Sequence, residues 1–163
     1  MMSVRRTIRV KAFQALFQLT KNFRTTPEQA IKYAITYPLT VDEEEELDEL
    51  EALKLVLPNG KIDDEKAADN LAYLKDLVMG VKEHQDFLDE QLENQLTNWT
   101  LQRIELTNLL ILRIASYELY YHEETDPRIV INEAIEMTKA FNNDDASKFV
   151  NGVLQGILDA KGA

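Results

Sequence analysis

Apolar side chains recur at intervals of three and four along almost the whole chain, and that period admits helices and little else. In the first segment Ile8, Ala12, Ala15, Leu16 and Leu19 fall on one helical face. No stretch alternates apolar and polar residues long enough to make a strand. Gly and Pro number only five and four in 163 residues, and all four prolines stand where a helix would begin or end. Thr26 is a candidate N-cap for "TTPEQAIKYAITYP", with Pro27 at the first helical position, Glu28 in the first turn and Pro38 as the stop. Behind the acidic run "DEEEELDELE", residues 42–51, Leu47, Leu50, Lys54 and Leu57 keep helical spacing up to the turn "PNG" at 58–60. Further helices are predicted from about Asp64 to Gly80 and through "VKEHQDFLDEQLENQL". Another starts at Asn98 or Thr100 and runs through "LQRIELTNLLILRIASYELYYH". The last two start at Asp126 with Pro127, and at Asp144 or Asp145. Residues 109–115 are apolar nearly all round, which predicts a surrounded, central helix. The expectation is an all-α protein of about seven helices.

Several classes of chemistry are missing. Without cysteine there is no disulfide framework, no thiolate zinc site and no Cys nucleophile, which fits a cytoplasmic, reducing setting. The basic N-terminal segment lacks the continuous apolar stretch of a signal peptide. The longest apolar run, "LLILRIA", is short and contains Arg113, so no membrane span is expected. His84 and His122 fall in separate helices without a ligand-spaced partner. Ser3, Ser116 and Ser147 occupy no nucleophile elbow, and there is neither a glycine-rich phosphate loop nor a Glu-x-x-His pattern. No catalytic residue, metal or cofactor is expected, and the chain reads as a non-enzyme.

What remains is charge. The net charge is −11, yet residues 1–24 hold six of the 18 basic side chains and none of the 29 acidic ones, leaving the remainder at −17. A basic end on an acidic body points to a local anion site, nucleic acid above all, or to a solvated helix that attracts the acidic remainder. On a helical wheel Arg6, Arg9, Phe13 and Phe17 form a stripe beside the apolar face. Guanidinium groups and rings interleaved this way suit single-stranded nucleic acid, the groups meeting phosphates and the rings stacking on bases. The alternative is that Phe13 and Phe17 widen the core face. In the last helix Lys148, Asn151 and Gln155 form a polar face, with Phe149 at its border. That edge can bind phosphate and base edges, or serve as the ordinary polar side of an amphipathic helix.

The segments "RRTIRVKAFQALFQ", "YLKDLVMGVKEHQDFLDEQL", "NWTLQRIELTNLLILRIASYEL", "INEAIEMTKAF" and "SKFVNGVL", in that order, resemble the NusB family of bacterial transcription antitermination factors. The resemblance covers residues 4 to about 20 and 71 to about 158. It implies one all-helical RNA-binding domain, residues 1–163, made of two small packed bundles, about 1–80 and about 81–163. It implies binding of the single-stranded boxA element of nascent ribosomal RNA together with ribosomal protein NusE, within an RNA polymerase antitermination complex. It also admits a homodimer. Carried over residue by residue, the implied RNA contacts are Arg5, Arg6, Arg9, Phe17, Tyr73, Lys148, Phe149 and Asn151, with Phe17 standing where the family often has Tyr. Asp145 matches an acidic position tied to antitermination strength. Carboxylates of the helices that follow the first bundle, Glu83, Asp86, Asp89 and Glu118, are the candidates for a face toward basic NusE.

Two departures stand out. Thr7 replaces a third consecutive arginine of relatives, and the segment of about 40–65 is an acidic insertion longer than the family pattern. Two other readings compete: a module related to the N-terminal domains of ribosomal RNA methyltransferases, and a helical adaptor that binds no RNA.

Overall fold

The computed structural model of the chain describes residues 3–36, 48–58, 62–97 and 100–162. Pro38, residues 42–47 of the acidic run, residues 59–60 of the predicted turn and Asn98 lie outside the described residues. Among those described there is no strand. The described residues form eight α-helices rather than about seven: α1 (Val4–Lys21), α2 (Pro27–Thr36), α3 (Glu49–Val56), α4 (Asp64–Glu83), α5 (Gln85–Glu93), α6 (Leu106–Tyr121), α7 (Pro127–Phe141) and α8 (Asp144–Gly162). A 3₁₀ turn, Leu101–Arg103, precedes α6. The chain divides into two compact units, Met1–Met79 and Gly80–Ala163.

In the first unit α1 opens at Ser3, whose Oγ accepts the Arg6 N–H at 3.1 Å. Ile8, Ala12, Ala15 and Leu16 are buried as the period predicts, and Leu19 is half-buried. α2 packs on α1 and begins with a reciprocal cap. The Gln29 N–H donates to Thr26 Oγ1 at 3.2 Å, and the Thr26 N–H donates to Gln29 Oε1 at 3.0 Å. A cap of this kind contributes about 1 kcal/mol. α3 buries Ala52 and Leu53. Its first-turn Glu49 pairs with Lys75 of α4 at 2.8 Å, and its Lys54 pairs with Asp64. The described end of the acidic run is thus part of the packing.

In the second unit α6 is central, with α5, α7 and α8 against it. Leu110, Ile111 and Leu112 are fully buried on successive positions, so α6 has no solvent face there. Arg113, the one charge in that run, is met by Asp89 of α5 in a two-pronged bond, Nε to Oδ1 at 2.8 Å and Nη2 to Oδ2 at 2.9 Å. Gly80 is required where α4 ends: a Cβ there would collide with the Tyr117 ring. The single helix predicted from residue 101 is interrupted. Leu101 and Ile104 are both buried, and Ile104 and Glu105 are extended before α6 starts. The tighter 3₁₀ spacing brings residues i and i+3 onto one side, which turns both side chains inward.

α7 is capped as expected. Asp126 Oδ1 accepts the Arg128 N–H at 2.9 Å, and the Arg128 guanidinium reaches the same carboxylate. Those bonds hold the Asp126 carboxyl below the usual carboxylate range. α8 is capped by Asn143, not by Asp144 or Asp145: Asn143 Oδ1 accepts the Ala146 N–H at 2.8 Å. No helix among the described residues is long and apolar enough to cross a membrane.

Candidate nucleic-acid interface

The first turn of α1 contains no acidic residue and carries Arg5 and Arg6. Arg5 is exposed, and its guanidinium carbon lies 3.7 Å from the centroid of the Tyr73 ring on α4. Arg6 is half-buried. Arg9 is only 5 % exposed, which removes it from the outer stripe on which the helical wheel placed it. Neither Arg6 nor Arg9 is without a partner. Lys11 is also buried, and desolvation pushes its ammonium pKa down. Thr7 is buried too, its hydroxyl donating to the Ser3 carbonyl at 3.1 Å. Of the two phenylalanines, Phe13 is in the core at 7 % exposure and Phe17 is outside at 38 %. Their centroids are 6.2 Å apart, and the Lys21 ammonium lies 5.7 Å from the Phe17 ring. Exposed cationic–aromatic groups on this unit are therefore Arg5 on Tyr73, Phe17 beside Lys21, and Arg24 beside Phe23 just past the end of α1.

In the second unit the start of α8 separates what the sequence grouped. Lys148 and Asn151 line a groove of about 360 Å³ with Ile135 and Lys139 of α7, and with Asp144 and Ser147. Phe149 lines another cleft, of about 460 Å³, with Ile104, Ala146 and a polar rim that includes Arg103, Asn142 and Asp145. Asn142 is held there, its Nδ2 donating to Glu105 Oε2 at 2.7 Å and to Asn108 Oδ1 at 3.2 Å. One side of the helix start thus offers two ammonium groups and an amide. The other offers a ring on an apolar floor, large enough for a nucleobase-sized group.

Comparison with known proteins identifies the fold. The NusB family model matches residues 32–159. The chain belongs to the NusB family. The transcription antitermination protein NusB of Bacillus subtilis is 39 % identical over 153 residues, 94 % of this chain and 93 % of that protein. The solved structure of T. maritima NusB superposes with a TM-score of 0.70 at 27 % identity, covering 96 % of this chain and 92 % of that one. A crystal structure of antitermination factors NusB and NusE in complex with dsRNA superposes at 0.72 over 98 % of this chain and 99 % of that one; at 22 % identity it speaks for the fold alone. The family is non-enzymatic, in keeping with the missing catalytic motifs.

Against the NusB expectation, the four partner-face carboxylates separate into two kinds. Glu83 and Asp86 are exposed at the α4–α5 junction. Asp89 is engaged by Arg113. Glu118 is 1 % exposed, so it cannot belong to an outer face; it sits on the helix that every neighbour in the unit covers. Sequence reasoning missed the aromatic groups beside the exposed pair. His84 stacks on Tyr121 at 4.4 Å, Tyr121 stacks on Tyr117 at 5.0 Å, and Phe87 meets Tyr120 edge-on at 5.1 Å. Phe87 and Tyr121 are 39 % and 41 % exposed. The signal was present as "YELYY" and "HQDF", but only the packing of α5 on α6 brings the two together. Lys139 was missed likewise: nothing in "EMTKAF" says that α8 will set Lys148 in the same groove.

Proposed function

We propose that this NusB-family protein is an RNA-binding transcription antitermination factor. It takes the single-stranded boxA element of nascent ribosomal RNA together with ribosomal protein NusE, as part of the antitermination complex on RNA polymerase, in the cytoplasm. The observation that carries the RNA surface is the exposed Arg5 guanidinium beside Tyr73 at the basic start of α1. On the first unit Arg5, Arg6 and Phe17 supply phosphate contacts and a stacking ring. On the second, Lys148 and Asn151 hold the backbone, and Phe149 offers a base platform with Asp145 at its rim. Arg9 supports α1 from inside. Acidic Glu83 and Asp86, next to exposed Phe87 and Tyr121, make the face for a basic protein partner, where charge steers and the rings anchor. Each contact is modest; tethering both ligands to one chain raises the effective concentration of each for the other.

The test is a titration of labelled boxA-type RNA and a scrambled RNA, with and without NusE, at several salt concentrations. Preferential boxA binding that strengthens with NusE is expected. A chain that binds NusE but treats both RNAs alike at moderate salt would be a protein adaptor, and the RNA reading would fall.

A further inference from the structure

The contact between Arg5 and Tyr73 assigns the two residues different roles, and the assignment rests on the RNA reading above. We propose that Tyr73 is a positioning residue: it holds the Arg5 guanidinium flat against its ring so that Arg5, not Tyr73, meets the RNA. At 3.7 Å from the ring centroid the guanidinium carbon is in van der Waals contact with the ring face. A guanidinium carbon this close to the centroid places the group over the ring face, where a parallel stack brings the most atoms into contact. One face of the guanidinium is then spent on Tyr73. Its rim of five N–H donors stays free for phosphate, and its outer face stays free for a base. The ring face under Arg5 is not open to a base.

The choice of partner decides the chemistry. A carboxylate would also fix Arg5, but it would neutralise the group and compete with phosphate. A ring fixes it through the negative π face and leaves the full charge available. Fixing it matters because a free arginine side chain carries roughly 2 kcal/mol of rotamer entropy, which binding would otherwise have to remove. It also offsets a local cost. Two arginines at the positive end of a helix oppose its dipole, and α1 has no first-turn acid to balance them.

The experiment measures boxA-type RNA affinity and its salt dependence for the full chain and for Tyr73→Leu, Tyr73→Phe, Arg5→Ala, Arg5→Lys and Arg5→Ala/Tyr73→Leu. Tyr73→Leu should weaken binding by roughly threefold to fivefold, the scale of an exposed cation–π contact. Its slope of log affinity against log salt should be unchanged, because the charge remains. Arg5→Ala should flatten that slope by about 0.7, the value of one phosphate contact on a single strand. Tyr73→Phe should restore what Tyr73→Leu loses, and Tyr73→Leu should add nothing on the Arg5→Ala background. Arg5→Lys, a surface change that leaves the fold intact, should keep the slope and lose affinity, because an ammonium cannot lie flat on a ring. Equal loss from Tyr73→Leu with and without Arg5 would overturn the proposal, since the ring would then be touching RNA or serving the fold. So would full affinity in Arg5→Lys. No RNA binding by the unaltered chain would instead remove the reading on which the proposal stands.

Discussion

Helices α1 and α8 begin with opposite charge. α8 places Asp144 and Asp145 in its first turn behind an Asn143 cap and ends with Lys161, which is the arrangement the helix dipole favours at both ends. α1 has a sound cap in Ser3 and Lys21 in its last turn, but Arg5 and Arg6 in its first turn oppose the dipole. A charge that the helix itself favours carries little functional information. A charge that local physics disfavours and the structure nevertheless keeps needs another reason. The start of α1 has such a charge, and the RNA contact proposed for Arg5 is a reason of that kind. The acidic start of α8 does not, so any regulatory role for Asp145 rests on family likeness and on its place at the rim of the Phe149 cleft.

The comparison is broken most sharply by a charge that belongs wholly to the fold. Arg113→Met leaves Asp89 in a partly buried place without its two donors, and should cost on the order of 3 kcal/mol in denaturant unfolding. Adding Asp89→Leu should recover much of that loss. Within α1 the same contrast separates two arginines one turn apart. Arg9→Ala should cost about 2 kcal/mol, because it removes a buried, partnered side chain. Arg5→Ala should change stability by less than about 0.5 kcal/mol and act on RNA affinity instead. If the two substitutions shift the melting curve equally, the division between fold charges and functional charges fails.

That division also marks what could be read from the sequence. Element type was legible because the three-and-four spacing of Ile8, Ala12, Ala15 and Leu16 fixes a buried face whatever packs on it. Starts written in local chemistry, Thr26–Pro27 and Asp126–Pro127, were legible for the same reason. The end of the 101–122 segment was readable but its start was not: the inward turn of Leu101 and Ile104 is decided by the unit's core. Arg9 shows the limit at the candidate site. A helical wheel gives angles, not the depth of neighbouring helices, so a residue at the border of the apolar face can be rim or core. Glu118 failed for the opposite reason. Polarity predicts that a carboxylate in a helix faces outward, while α6 is buried from Leu110 through Leu119. The Lys139–Lys148 groove and the pairing of Phe87 with Tyr120 depend on contacts between helices, and no one-dimensional spacing encodes them.

The start of α8 offers two smaller effects. Asn143→Ala should lower stability by about 1 kcal/mol through loss of the cap. Asp144→Asn is the finer test. It removes a first-turn charge that the dipole favours, so stability should fall by about 0.3–1 kcal/mol at low salt, and the loss should fade at high salt. The same carboxylate lines the groove with Lys139, Lys148 and Asn151, where it opposes an incoming phosphate. Its removal should therefore strengthen RNA binding while it weakens the helix. Stability and affinity moving in opposite directions would show that α8 keeps its acidic start for folding and tolerates its cost in binding. If both fall together, Asp144 serves the RNA surface directly, and the contrast between the two helix starts loses its meaning.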